Sequence, residues 1–192
     1  MSETLAAYLR FFWAGVVKQG QTGAILPSQR FLIAKMITPV PASYCGRIVE
    51  LGAGNGAITL RLAARCPGAR ILACEINPTL AQDNRHNLAK AGLNGQVKLV
   101  SDSAEQLLAQ IGRETAGKAD YIISSIPLGN MGRKRALALL DAISGALARG
   151  GTYVQFQHSL LHRKKIQARF RKLRTIPVLV NFPPAVVYYA SG

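Results

Sequence analysis

At 192 residues, 49% of them hydrophobic, the chain is long enough for one substantial core and too short for two typical domains. A net charge of +15 calls for an anionic partner, either nucleic acid or an anionic membrane, and charge alone does not choose between them. Cys45, Cys66 and Cys74 form no C-x-x-C pair or even disulfide set, the His and Cys pattern supports no metal site, no apolar run is long enough to span a bilayer, and Met1-Ser2-Glu3 is a poor signal-peptide opening, so the expectation is a cytosolic protein with reduced thiols, soluble or peripheral.

In chain order, the first segment is ETLAAYLRFFWAGVVKQ, residues 3–19. At helical periodicity Leu5, Tyr8, Leu9, Phe12, Trp13 and Val16 share one face, with Arg10 and Lys18 on the other. Such a helix either caps a sheet or lies in a membrane interface. From Arg47 onward, strand-length apolar runs at 47–51, 70–75, 97–101, 119–124, 152–157, 176–181 and 185–190 alternate with helical patterns at 56–66, 78–91, 103–112, 133–148 and 162–173. This is the α/β pattern of a doubly wound sheet. The last two strands are joined through Pro183-Pro184 with no room for a helix, which implies a closing antiparallel hairpin.

The first sheet strand runs into RIVELGAGNGAITLRLA, where Gly52, Gly54 and Gly56 permit a tight turn and the following helix offers its positive end to a ligand. Glu75 ends the second strand, 23 positions after Gly52, placed to accept hydrogen bonds from ribose hydroxyls. Gly52-x-Gly54-x-x-Ala57 also satisfies the loose dinucleotide fingerprint. Three features favour S-adenosylmethionine instead. Glu50 would repel a pyrophosphate but suits a cationic or amino-bearing ligand; Asp102 follows the third strand, where it can accept from an adenine amino group; and the fourth strand ends in a Ser-Ile-Pro-Leu loop without an evident proton donor for hydride chemistry.

E-x-G-x-G-x-G with an acid after the second strand resembles the class I S-adenosylmethionine-dependent methyltransferases. The resemblance implies a Rossmann-like, seven-stranded, mostly parallel sheet with an antiparallel last strand and helices on both faces. It also implies that Glu50, Gly52, Gly54 and Asn55 line the methionine moiety, Glu75 the ribose, and Asp102 with Ser103 the adenine. Ala53, Gly56, Ile76 and Asn77 complete the cofactor-binding set.

Methyl transfer to an amine requires chiefly that a neutral nitrogen be seated in line with the methyl carbon. In adenine N6-methyltransferases the fourth-strand loop resembles Asn-x-Pro-Tyr, with the ring stacking on the base; here Ser125, Ile126, Pro127 and Leu128 supply neither asparagine nor ring. GAILPSQRFLIAKM (23–36), SSIPL, VQFQH and NFPPAVVY instead resemble the small bacterial phospholipid N-methyltransferases, which convert phosphatidylethanolamine to phosphatidylcholine. That likeness implies that Ser125, Ile126 and Pro127 form the catalytic loop, with His158 beside them where the family usually has tyrosine; Val180 stands where a basic residue often precedes the Asn-x-Pro-Pro motif. His158 either takes a proton or phosphate contact or is a histidine satisfied at a strand end.

HRKKIQARFRKLR, residues 162–174, spaces Ile166, Phe170 and Leu173 as one face of a basic helix, and Arg133, Lys134 and Arg135 form a second cluster after the catalytic loop. With Leu5, Leu9, Phe12 and Trp13 they suggest a side facing the inner membrane, without an obligate protein partner. The expected division is a membrane-contacting segment and connector over 1–36 and a methyltransferase domain over 37–192. The alternatives are an rRNA adenine-type methyltransferase, which would be expected to carry a helical domain after the sheet, and a non-enzymatic basic binding module.

Overall fold

Strands that carry apolar side chains on both faces require cover on both. The computed structural model describes residues 27–113, 118–181 and 183–192; the amphipathic helix expected at 3–19 lies outside them. Its elements are α1 (Pro27–Ile37), β1 (Arg47–Leu51), α2 (Ala57–Arg65), β2 (Arg70–Cys74), α3 (Pro78–Lys90), β3 (Val97–Val100), α4 (Ala104–Arg113), β4 (Ala119–Ser124), α5 (Arg133–Ala146), β5 (Leu147–Gln157), α6 (Arg163–Gln167), β6 (Lys172–Val178) and β7 (Ala185–Ser191). A short 3-10 turn, Leu128–Asn130, lies between β4 and α5.

The seven strands form one sheet in the order β3-β2-β1-β4-β5-β7-β6. β1 pairs in parallel with β2 and β4, and β7 runs antiparallel to both β5 and β6. The Rossmann-like architecture expected from the sequence is therefore present. The chain winds outward from β1 to β3 and then restarts on the other side at β4, so the crevice outside β1 and β4 is the topological switch point where such sheets bind ligands.

Neighbouring strand residues feed opposite layers. Val49, Ile122 and Tyr153 pack with Leu107, Leu108 and Ile111 of α4 and Leu139, Leu140 and Ile143 of α5. Ile48, Ile123 and Val154 pack with Leu32, Ile33 and Met36 of α1 and Leu62 of α2. Local chemistry sets where helices begin. Asn77 caps α3, its Oδ1 accepting the N–H groups of Thr79 and Leu80 at 3.0 and 3.2 Å, with Pro78 at the first helical position. Ser103 and Gln106 form a reciprocal capping box at α4, Gln106 N–H donating to Ser103 Oγ at 3.2 Å and Ser103 N–H to Gln106 Oε1 at 3.3 Å.

The basic stretch departs from its expected helix. Only Arg163–Gln167 is helical, and β6 begins at Lys172 instead of near 176. Antiparallel pairing, from Lys172 with Ser191 to Val178 with Ala185, outweighs the helical spacing of Leu173, since β6 gains a full ladder along β7. Pro177 is compatible with this because β6 is the edge strand and has a side on which no N–H is needed. Val180 and Asn181, expected at the end of that strand, fall in the turn that follows it. β5 begins at Leu147, earlier than expected, and includes an irregularity where its pairing with β4 shifts between Ala119 and Tyr121. Phe170, expected on the apolar face of that basic helix, is instead buried in the core, stacked on Tyr153 at 5.5 Å between ring centroids.

Phe170→Ala removes that ring from a packed layer and is expected to destabilise the protein by about 3–5 kcal/mol. Chemical denaturation with an unchanged denaturant slope is the check.

Candidate active site

Beyond Leu51 the chain turns through Gly52, Gly54 and Gly56, all at positive φ (75°, 56° and 92°). Gly52 and Ala53 donate their N–H groups to the Cys74 carbonyl at 3.0 and 2.9 Å, which fastens the turn to the end of β2. Among the described residues no atom lies within 4 Å of where a Cβ on Gly54 would stand, which leaves the backbone there open toward a ligand. At Gly56 the space is filled instead by the Asn84 amide, which a side chain would strike.

Glu75, 4% exposed, holds the two neighbouring loops together. Its Oε2 accepts the Gly54 N–H and its Oε1 the Asn77 N–H, each at 2.8 Å. Each oxygen retains a lone pair for a further donor. Around it lies a cavity of about 180 Å³ lined by Gly52, Glu75, Ile76, Asp102, Ser103, Ser125, Ile126 and Pro127 from the expected site, and by Glu105, Met131 and Arg135. The chain has only nine acidic residues, and Glu75, Asp102 and Glu105 meet here. A strongly cationic protein has thus placed carboxylates around one cavity, suited to a ligand with positive charge and hydroxyl donors. Glu105 is engaged by Arg135, whose Nε lies 2.8 Å from Oε1.

Glu50 is fully buried on β1 next to this turn, and among the described residues neither of its carboxylate oxygens has a hydrogen-bond partner. Burial pushes its carboxyl up to about 8; the Thr59 hydroxyl, nearby but outside hydrogen-bond geometry, opposes the shift and the charge of Glu75 adds to it. Unpaired buried acceptors beside an open glycine backbone and a ribose-competent carboxylate fit the amino-bearing nucleoside cofactor expected from the sequence.

The opposite wall is the loop after β4. Ser125 N–H continues the sheet by donating to Leu51 O at 3.0 Å. Ile126 then approaches the glycine turn so closely that a Cβ on Gly52 would sit 3.1 Å from Ile126 Cγ1. The Ile126 carbonyl accepts two side-chain amides, Gln155 Nε2 at 3.0 Å and Gln157 Nε2 at 3.1 Å. Both glutamines are buried on β5, and Gln155 is held in turn by the Tyr153 hydroxyl at 2.5 Å. They had no assigned role in the sequence reading, although two polar residues two apart in an apolar strand point to the same face and signal a buried polar task.

Other expected site residues lie elsewhere. Ala53, Asn55, Gly56 and Asn77 are in the two loops but do not line the cavity: Asn55 accepts Asn87 Nδ2 at 3.0 Å through its carbonyl, and the Asn77 side chain is committed to the α3 cap. His158, following β5, does not line it either; its Nδ1 lies 3.0 Å from the Pro184 carbonyl, and its ring meets Phe156 edge to face. A carbonyl can only accept, so this nitrogen carries a proton.

With this geometry established, comparison places the chain among known proteins. A family model described as a methyltransferase domain matches residues 48–151. An ornithine lipid N-methyltransferase of Singulisphaera acidiphila is 26% identical over 171 residues, covering 88% of each chain. A ribosomal RNA small subunit methyltransferase C of Salmonella choleraesuis is 29% identical over 82 residues, 43% of this chain and only 21% of the relative. Among solved structures, an O-methyltransferase from Bacillus cereus, in complex with SAH, superposes with a TM-score of 0.69 at 15% identity, covering 93% of this chain and 90% of that one.

The Glu50 proton has a measurable consequence. With the folded carboxyl near 8 and the unfolded one near 4.5, the folded state binds the extra proton, so stability falls as pH rises through that window and levels off above it. Without cofactor, Glu50→Gln is expected to melt several degrees above the parent at pH 9, the difference shrinking toward pH 5, as thermal scans across pH would show.

Proposed function

The chain belongs to the methyltransferase-domain family, and we propose that this S-adenosylmethionine-dependent enzyme methylates the amine of a lipid head group, carrying phosphatidylethanolamine toward phosphatidylcholine at a membrane surface. The observation that carries this reading is the acceptor wall. Ser125, Ile126, Pro127 and Met131 are small or aliphatic, and among the described residues no aromatic ring lines the cavity. A nucleobase acceptor is ordinarily stacked on such a ring, whereas a primary amine needs only a narrow seat and an aliphatic neighbour for the rest of the lipid. The relative that aligns along most of its length acts on a lipid amine; the RNA-modifying relative aligns over a fifth of its length.

S-adenosylmethionine, when bound, supplies an electrophilic methyl group on a positively charged sulfur. The protein contributes position and charge. Glu75 offers its remaining lone pairs to ribose hydroxyls, Asp102 an acceptor at the adenine end, and Glu50 and the Gly54 backbone a seat for the amino-acid end. Gln155 and Gln157 brace the Ile126 carbonyl, so that Ser125 and Pro127 keep a constant distance from the glycine turn. The accepting nitrogen would have to be neutral for a bound cofactor to supply its methyl group, and the proton displaced from that nitrogen would pass to water. Cys74 takes no part as a nucleophile, because burial pushes its thiol up to about 12.

A second reading comes from the same relative: an ornithine lipid also presents a primary amine on a lipid, and the acceptor wall does not distinguish the two. Incubation with methyl-labelled cofactor and, separately, phosphatidylethanolamine, ornithine lipid and ribosomal RNA decides among them. Label extracted with phosphatidylethanolamine supports the first reading, label with ornithine lipid alone the second, and label in RNA alone overturns both. Glu75→Ala is expected to abolish cofactor binding by calorimetry. Gln157→Leu is expected to leave cofactor affinity unchanged and to slow turnover by about tenfold to a hundredfold, since it frees the acceptor loop without touching the cofactor side.

A further inference from the structure

Two turns at the carboxyl end of the sheet carry side chains that turns normally avoid. After β5, the Leu160 carbonyl accepts the Arg163 N–H at 3.0 Å, and Leu160 and Leu161 stand 60% and 74% exposed. After β6, the Val178 carbonyl accepts the Asn181 N–H at 3.3 Å, and the two residues between, Leu179 and Val180, are 75% and 62% exposed. Such positions ordinarily hold Gly, Asn, Asp or Ser. Nothing in the backbone asks for leucine or valine there, and each costs solubility.

The two tips form one surface. β5 and β6 flank β7 and both run antiparallel to it, so their carboxyl ends emerge on the same side, about 10 Å apart. The intervening segments are tied together: His158 Nδ1 meets the Pro184 carbonyl at 3.0 Å, and the Tyr188 hydroxyl donates to the Ser159 carbonyl at 3.3 Å. It is also the catalytic side. His162 is buried beside the acceptor loop, its Nε2 3.8 Å from where a Cβ on Gly129 would stand.

The charge around these tips has one sign. From residue 142 to 192 the chain contains no Asp or Glu. Arg163 and Lys164, both exposed, follow Leu161 directly after the buried His162, and Arg133 and Lys134 stand exposed at the start of α5, beyond the acceptor loop. Asp141, the last acid in the chain, is already held by Arg169 at 2.6 Å. Aliphatic tips within a cationic collar match an anionic bilayer, whose headgroups attract the cations while the acyl boundary accepts the aliphatics. RNA would complement the charge but give the aliphatic tips nothing to stack on.

We propose that Leu160-Leu161 and Leu179-Val180 are paired membrane-inserting tips that seat the cavity mouth on an anionic lipid surface. The assignment extends the lipid head-group reading by naming the surface that meets the bilayer, and it is separate from any contact made by residues 3–19. Docking there would bring the acceptor loop to the headgroup layer without lifting a lipid out of the membrane.

The test uses the full chain with Cys45→Ser, which leaves only the buried Cys66 and Cys74, and a polarity-sensitive fluorophore at Leu161→Cys, Val180→Cys or Gly95→Cys. Gly95 is exposed in the turn before β3, at the opposite end of the sheet. On vesicles of phosphatidylethanolamine and phosphatidylglycerol, the labels at 161 and 180 are expected to shift to the blue and to be quenched by spin-labelled acyl chains, while the label at 95 stays unchanged. Vesicle flotation of Leu160→Ser/Leu161→Ser/Leu179→Ser/Val180→Ser should fall by about tenfold or more, with methyl transfer in detergent micelles retained. Labels that stay water-exposed while the protein floats would overturn the proposal. So would a response to RNA or to rising protein concentration in place of vesicles, or undiminished flotation of the serine variant. Insertion of the labels with no lipid methylation even in micelles would sustain the docking surface and remove the lipid-substrate reading instead.

Discussion

The site is organised by one buried carboxylate. Glu75 accepts a backbone N–H from the glycine turn after β1 and another from the loop after β2, so two loops that begin on adjacent parallel strands are held at a set separation. Charge-assisted hydrogen bonds from backbone donors are stronger than neutral ones, and here they fix main chain whose positive φ values leave it few other restraints. The same group faces the cavity, so the contact that shapes the site is also one that a cofactor would use. Glu50 is the counterpart, a buried carboxylate that the described residues leave without a hydrogen-bond partner. A ligand that brings donors to it would recover that cost as binding free energy.

The acceptor side is shaped by polar groups in an otherwise apolar strand. Gln155 and Gln157 turn their amides toward one carbonyl, and the Tyr153 hydroxyl orients the first of them. The contribution that the loop after β4 would make to the proposed reaction is therefore one of position. It contains no acid or base, which is consistent with a reaction whose driving force arrives in the cofactor. The close contact between Ile126 and Gly52 joins this wall to the glycine turn, so the spacing of the two depends on packing at one glycine.

Charge is distributed by the same logic. Carboxylates gather around the cavity despite a net charge of +15, while the final quarter of the chain is exclusively cationic. Separating the two signs would allow one end of the sheet to meet the proposed anionic surface while the cavity holds a cationic ligand.

Much of this was legible in the residues alone. Gly52, Gly54, Gly56 and Glu75 declare a ligand turn because their spacing is local, and local spacing survives folding; alternating apolar runs declare the strands for the same reason. The basic stretch misled because Leu173 and Phe170 satisfy a helical period locally, while β7, contributed by residues from 185 onward, offers Lys172–Val178 a complete ladder. Which of the nominated residues share the cavity was equally hidden: Asn77 is drawn into a helix cap and His158 turns to Pro184, whereas Ser103 caps α4 and still lines the cavity. Sequence by itself determined the fold class, the cofactor turn and the sign of the chain's net charge, since each rests on periodicity, short-range spacing or summed charge. Tertiary structure alone decided the brace on Ile126, the strand in place of a basic helix and the convergence of two aliphatic tips, because each requires segments remote along the chain to be brought side by side by the order of strands in the sheet.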